Sequence, residues 1–379
     1  MVNTINEYNP DYIIHPGEYI LELIEAIGIS QTEFATRIDI TPKHLSNIIN
    51  GKAGITANTA KSLQIAYNYD PQYWLSLQSG YDIAVAEREK NEEYKNNENE
   101  NKKWLEHFDY KEIVKLGFIE EIYDSSTDIG KINNLLSYFN FSDINGWNSM
   151  YVSSKMSSKS IACRIIGASE TKFGNTAAWI RYGQIKANEI SINFPPYDKN
   201  KFKENLLKIR EMTKNLPEDF SNKMESLCKE AGVFLLFVKE IPGAGMCGAA
   251  FWENNRSIPC IQMSLRYKKN DHFWFTFFHE AGHILNEHKK DICLDYHDLN
   301  SGEKDIEEKA NTFASNVLIH PSKYKEFINE TNRFSKDSII QFANSIGVHP
   351  GIVVGRLQHD GKLKFSFCKD LKHSIVWAN

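Results

Sequence analysis

The sequence predicts a mainly α-helical protein with one small β-sheet, an α+β chain, and three observations carry that reading. Apolar residues recur at three- and four-residue steps through most of the 379 residues, the spacing that gives a helix one buried face. Short apolar runs at 233–238 and 249–252, followed by a partly alternating stretch at 258–265, mark where strands are expected. Hydrophobic residues make up 41% and charged residues 25%, the balance of a globular chain rather than a disordered or fibrous one. At about 100 to 200 residues per domain, the length gives two or three folding units.

Residues 11 to 80 read as a compact all-helical unit punctuated by Gly28, Gly51 and Pro71. The stretch EREKNEEYKNNENENKK at 87–103 has one aromatic and no aliphatic residue, so it cannot pack and is a solvated helix or a hinge. From about 105 to 225 the pattern is mainly helical. KINNLLSYF and KFKENLLKIREM give amphipathic faces, and NFPPYD marks a turn near 193–198. VFLLFV at 233–238, Ala249 to Trp252, and Ile258 to Leu265 are the expected strands, the first two separated by PGAGMCG. A long helix follows near Asp271, the expected N-cap. IIQFANSIGVHPGIVVGRLQ reads as a helical cover for the core.

Composition excludes several classes. The N-terminus lacks a basic stretch followed by an apolar one, and nowhere do about 18 uncharged apolar residues run together. A cytoplasmic protein is expected. The six cysteines, at 163, 228, 247, 260, 293 and 368, form no CxxC pair, which argues against a disulfide framework or a cysteine zinc knuckle. The net charge of -5 argues against a polyanion binder with a wholly basic surface, so any nucleic-acid contact must come from a local patch.

Chemistry concentrates in FWFTFFHEAGHILNEH. His279 and His283 stand four residues apart, which on a helix places both imidazoles on one face, about 6 Å apart, a bite suited to one tetrahedral zinc. Phe273, Trp274, Phe277, Phe278, Ala281, Ile284 and Leu285 supply the apolar stripe of that helix. Glu280 lies beside the ligand face, placed to act as general base toward a water whose pKa a zinc ion has lowered to about 7. A second segment, IEEKANTFASNVLIHP, lines one helix face with Ile306, Ala310, Phe313, Ala314 and Val317. Its glutamates can supply the third ligand. A three-histidine set would need glycine at 286 and histidine at 289, and the chain has Asn286 and Lys289.

Spacing selects Glu307 over Glu308. Glu307 stands four residues before Asn311, so the two share a face and Asn311 can accept a hydrogen bond from a ligand histidine. Glu308 is rotated 100° away. By the same geometry His288 points away from the metal. Asp295, Tyr296 and His297 fall in the loop between the two helices, where one of them is placed to steady an oxyanion.

HEAGH with EEKANTFA, followed by NVLIHP, resembles the ImmA/IrrE family of metallopeptidases, with its HExxH helix and ExxAN-x-FA helix. The resemblance covers roughly 225 to 379, with IQMSLR upstream and IGVHPGIVVGRLQHDG downstream. It implies a zincin-like domain and a gluzincin-like endopeptidase acting on few regulatory proteins. The family's glutamate, three before the alanine, again falls on Glu307. The chain departs from the family at His320, which precedes a proline where an apolar residue is more usual, and a surface or structural role is expected there.

SQTEFATRIDITPKHLSNIINGK has a helix-turn-helix cadence. Phe34, Ala35 and Ile38 lie on one helix, a tight turn falls at Asp39–Ile40, and Leu45, Ile48 and Ile49 lie on the next. Ser30 and Thr41 are the expected N-caps. Lys43, His44, Ser46 and Asn47 suit base edges in the major groove, with Thr41 at the start of that helix. Gln31, Asn50 and Lys52 suit phosphates. With HPGEYI at 15–20 and DPQYWLSLQSGYDI at 70–83, the segment resembles the HigA-type antitoxin repressors of the Xre-like class. That resemblance implies a five-helix domain, homodimeric binding to an inverted-repeat DNA operator, and contact with a toxin. Residues 1–80 hold four Lys or Arg against eight Asp or Glu, so non-specific phosphate affinity should be weak.

The expected organisation is a helix-turn-helix domain at 1–84, a charged linker or exposed helix at 85–110, a helical middle region at 111–224 and a metallopeptidase domain at 225–379. The expected function is a DNA-binding regulator with zinc-dependent endopeptidase activity on a repressor or antitoxin. The alternative is a repressor or antitoxin whose peptidase-like part senses a ligand or holds a partner without catalysis. Glu280 favours the enzyme, because a purely structural zinc site needs no base.

Overall fold

The computed structural model describes residues 13–153, 161–165, 173–253, 257–264, 266, 269–287, 301–331 and 333–375. They fall into two compact units, Met1–Asn99 and Glu100–Asn379.

The first unit is built from α1 (Pro16–Ile27), α2 (Gln31–Arg37), α3 (Pro42–Ile49), α4 (Ala57–Tyr67) and α5 (Pro71–Asn96). The expected caps are in place. Ser30 Oγ accepts from the Glu33 amide at 3.2 Å and Thr41 Oγ1 from the His44 amide at 3.1 Å, each satisfying a helix donor that has no partner within the helix. Between α2 and α3 the backbone turns at Asp39 with φ 56°, a left-handed conformation that Asp tolerates better than most residues. Ile20, Phe34, Ile38, Leu45, Ile48 and Trp74 close the core. The HPG segment also gains a physical account. His15 Nδ1 accepts from the Gly17 amide at 2.9 Å and Pro16 occupies the first helical position, where its missing N–H costs nothing.

The charged stretch at 87–103 is helical, spanning the end of α5 and most of α6 (Glu98–Glu106). The second unit continues with α7 (Tyr110–Lys115), α8 (Asp128–Phe139), α9 (Ile144–Asn148), β1 (Ile161–Ile165), α10 (Phe173–Ile190), α11 (Lys199–Glu211) and α12 (Phe220–Glu230). Then come β2 (Phe234–Phe237), β3 (Met246–Glu253), β4 (Ile258–Met263), α13 (Asn270–Leu285), α14 (Ser301–Leu318), α15 (Pro321–Glu330), α16 (Lys336–Ile346) and α17 (Pro350–His359).

The mainly helical fold with a small sheet is therefore as the patterns predict, with one addition. The sheet runs in the order β1-β3-β4-β2, and its edge strand β1 comes from the region read as mainly helical, where no strand is expected. β1 pairs antiparallel with β3, with Arg164 opposite Gly248. β3 pairs antiparallel with β4, which pairs parallel with β2. Nearly every residue of β3 and β4 is buried, which is why Ala249 to Trp252 reads as a continuous apolar run and Ile258 to Leu265 alternates only in part.

The expected cap at Asp271 is corrected. The cap of α13 falls two residues earlier, at Lys269, which makes no side-chain cap. The Asp271 side chain is instead buried against Lys372 at 2.6 Å. A partner from the far end of the chain displaced the local capping role.

α13 lies against β3 and β4 and packs along α14, so Phe273, Trp274, Phe277 and Phe278 join Ala314 and Leu318 in one core. Arg210 on α11 fixes the end of α14, donating from Nε to Val317 O at 2.6 Å and from Nη2 to Leu318 O at 3.1 Å. IIQFANSIGVHPGIVVGRLQ is the expected core cover, burying Ile339, Ala343, Val348, Ile352, Val353 and Leu357. His320 and His349 repeat the His15 device. Each accepts at Nδ1 from the amide two residues on and precedes a proline, so His320 is a helix cap.

Candidate metal centre

Helical spacing brings His279 and His283 to one face of α13, with ring centroids 4.7 Å apart. Their Nε2 atoms lie 3.0 Å from each other. Glu307 reaches in from α14, with Oε2 3.2 Å from His279 Nε2 and Oε1 3.3 Å from His283 Nε2. Among the described residues these three form the one group of His, Cys, Asp and Glu able to hold a metal.

The donor set can be tested against a zinc ion. Bonds of about 2.0 to 2.2 Å to nitrogen and carboxylate oxygen give a tetrahedron whose edges are about 3.3 to 3.6 Å. The two histidine nitrogens stand 3.0 Å apart, near such an edge, and each has one Glu307 oxygen at 3.2 or 3.3 Å, so a carboxylate oxygen from α14 can complete the set. The protonation pattern also fits. His279 Nδ1 lies 3.0 Å from Asn311 Oδ1, and since an amide oxygen only accepts, Nδ1 carries the hydrogen and Nε2 presents its lone pair. Burial alone would raise the Glu307 carboxyl, but with no metal between them protonated imidazoles of His279 and His283 donate to it, outweigh burial and hold it well below the usual carboxylate range. An anionic carboxylate is the form a metal takes.

Glu280 is fully buried, as are His279 and His283 to within 1%. Two glycines that the motif reading passed over make this arrangement possible. A Cβ on Gly248 of β3 would stand 3.0 Å from Glu280 Cγ and Oε1, and 2.7 Å from Thr276 Cγ2. Glu280 therefore lies directly on β3 where that strand has no side chain. On α13, a Cβ at Gly282 would meet Phe313 Cδ1 at 3.1 Å and Ala310 Cα at 3.2 Å. Gly282 lets the two helices approach closely enough for Glu307 to reach the histidines. The glycine inside HEAGH was the available signal for the second; nothing in the sequence marks the partner of the first.

Glu308 is exposed and lies with Thr312 on a different face of α14. Asn311 is exposed while holding His279. His288, Asp295, Tyr296 and His297 lie outside the described residues. Of the cysteines, Cys228, Cys247 and Cys260 are buried; Cys293 and the Cys163 side chain lie outside the described set.

On the first unit, Gln31, Thr41, Lys43 and Lys52 are exposed, while His44, Ser46 and Asn47 are half-buried. Thr41 spends its hydroxyl on the cap of α3, and Asn50 donates to Ser46 O at 2.7 Å. The exposed face of α3 thus has Lys43 as its only full cation among the described residues of the helix.

These features define a class: a helix-turn-helix unit joined in one chain to a helix pair carrying a His/His/Glu cluster. Residues 20–74 match the helix-turn-helix family model, and residues 235–358 match that of the IrrE N-terminal-like domain. The chain belongs to the helix-turn-helix regulators and carries an IrrE N-terminal-like domain. It is 36% identical over 73 residues to the uncharacterized HTH-type transcriptional regulator YddM of Escherichia coli, covering 19% of this chain and 78% of that one. It is 46% identical over 71 residues to virulence-associated protein A′ of Dichelobacter nodosus, covering 18% of this chain and 62% of that protein's length. Among solved structures, a HigA-family addiction module antidote protein from Coxiella burnetii is similar at 33% identity, covering 22% of this chain and 92% of that one, with a TM-score of 0.21. Among the described residues, no helix is long and apolar enough to cross a membrane.

Proposed function

We propose that the second unit is a zinc-dependent endopeptidase of the HExxH, gluzincin-like type that cleaves a regulatory protein, and that the helix-turn-helix unit directs it to operator DNA. One observation carries the reading. His279, His283 and Glu307 bring their ligand atoms within 4.8 Å of one another while Glu280, no part of that ligand set, is buried beside them.

Zinc held there would supply a Lewis acid that polarises the scissile carbonyl and lowers the pKa of a water toward about 7. The remaining work falls to the chain. Asn311 fixes the orientation and tautomer of His279. Glu280, held against β3 at Gly248, takes a proton from the attacking water and delivers it to the departing amide nitrogen. Burial of Glu280 keeps bulk water from competing for that proton.

The first unit supports the choice of substrate class. A peptidase joined to a DNA-binding module meets repressors and antitoxins at their operators, and either is a suitable protein substrate. Lys43, His44, Ser46 and Asn47 on α3 would read base edges, with Gln31 and Lys52 on phosphates. Two copies would read an inverted repeat, and a toxin is a further partner.

The test uses the full-length chain. Zinc is quantified in the wild type and in Glu280→Gln, and both are incubated with a candidate repressor or antitoxin. Wild type should hold equimolar zinc and cleave; Glu280→Gln should hold the same zinc and cleave slower by about a hundredfold or more. Absence of bound zinc, or cleavage by the variant within about tenfold of wild type, rejects the reading.

A further inference from the structure

Along the groove between α13 and α14, one helical turn from the metal cluster, lies a second feature that this chemistry does not use. Phe275 precedes His279 by four residues, and Ser315 follows Asn311 by four. Both line a cavity of about 250 Å³ enclosed by α13, α14, α17 and the segment after α17. An apolar cavity of about 150 Å³ already holds benzene, so this one admits a larger ring.

The lining states what kind of molecule fits. Phe275, Leu318, Ile319 and Ile352 form apolar walls, which disfavour a wholly polar guest. Two cations reach the cavity and each is already matched by a carboxylate, Lys372 by Asp271 at 2.6 Å and Arg356 by Asp360 at 2.7 Å. A net anion finds neither cation unpaired. Asp271, 8% exposed, lines the cavity. Its Oδ2 accepts from Lys372 and faces Gly355, another lining residue, while its Oδ1 has no hydrogen-bond partner among the described residues. A buried carboxylate with one donor is short of the hydrogen bonds its charge calls for, and Oδ2 has a lone pair for a second.

The mouth is built as well. Phe365 lines the cavity yet is 72% exposed, an arrangement that soluble surfaces avoid unless the apolar group covers something. Its segment is fixed from beneath by Gln358, itself buried, whose Nε2 donates to Phe367 O at 3.1 Å and Lys364 O at 3.4 Å.

We propose that this cavity is a binding site for a small neutral molecule with an apolar ring and one N–H or O–H donor, the donor meeting Asp271. The site adjoins the metal cluster through Phe275, whose ring stacks 6.3 Å from that of His279. It goes beyond the endopeptidase reading and does not rest on it.

The experiment uses indole as probe and indene as its match in shape without the N–H. Binding to the full-length chain is measured by calorimetry and by ligand-observed NMR. Indole should bind saturably, and indene about tenfold more weakly or worse, because a hydrogen bond to a charged acceptor is lost. Ser315→Phe and Ile352→Phe, which fill the cavity, should each abolish indole binding while circular dichroism and melting temperature report an intact fold. Glu280→Gln should bind indole as wild type does. Absence of saturable indole binding, equal affinity for indene, or binding that survives in both filled variants overturns the proposal.

Discussion

Gly248→Ala is the sharpest perturbation the structure offers, because it adds one methyl group and touches no metal ligand. The new Cβ would stand 3.0 Å from Glu280 Cγ and Oε1 and 2.7 Å from Thr276 Cγ2, where ordinary contact begins at 3.4 Å. Gly248 is held in register on both sides, opposite Arg164 of β1 and Met263 of β4, so the strand does not yield and Glu280 must. If Glu280 is the general base as proposed, a retreat of about 0.4 to 1 Å is the scale at which misplacement costs up to about a hundredfold in rate. Crowding in a packed interior should also cost about 1 to 3 kcal/mol of stability. The measurements are the cleavage rate of a peptide substrate, zinc content and melting temperature on the full-length chain. The rate should fall about tenfold to a hundredfold with zinc retained, since His279, His283 and Glu307 do not meet Gly248. Wild-type rate together with an unchanged melting temperature would show that Glu280 is not seated on β3, and the reasoning would fail.

Zinc content should drop steeply in Glu307→Ala and stay equimolar in Glu308→Ala, because only Glu307 faces the histidines; the reverse ranking overturns the ligand assignment. Lys43→Ala with Asn47→Ala should weaken operator binding in a gel-shift titration and leave zinc unchanged, and undiminished affinity for a selected DNA site would refute the contact face. His15 gives a pH prediction. Burial lowers its pKa from 6.5 against the opposing pull of Asp82 and Glu18, so as pH falls below that value the unfolded chain takes up a proton that the folded one resists. Stability of the first unit is therefore full above pH 6.5 and declines below it. Amide exchange at Ile20 and Ile24 in the full-length chain should accelerate from pH 7 to 5 after correction for intrinsic rates. His15→Asn, which keeps a capping acceptor and does not titrate, should flatten the trend, and an equally steep trend in that variant contradicts the assignment.

The sequence by itself determined everything that one helix or one turn can hold. Four-residue spacing puts His279 beside His283 wherever that helix is placed, because backbone hydrogen bonds within the segment set the geometry. The caps at Ser30 and Thr41, the turn at Asp39 and the buried face of Phe34, Ile38, Leu45 and Ile48 are local for the same reason, and all are present. Glu307 was legible as the residue sharing a face with Asn311. Its arrival at the histidines was not, since that depends on α13 and α14 closing over Gly282. Tertiary packing alone decided that β1 crosses from the helical middle region to pair with β3, that Gly248 opens the seat of Glu280, and that Lys372 takes Asp271 from its expected cap. Each of these joins residues far apart in the chain. Their proximity follows from how the whole apolar core closes, and no short window of sequence contains that information.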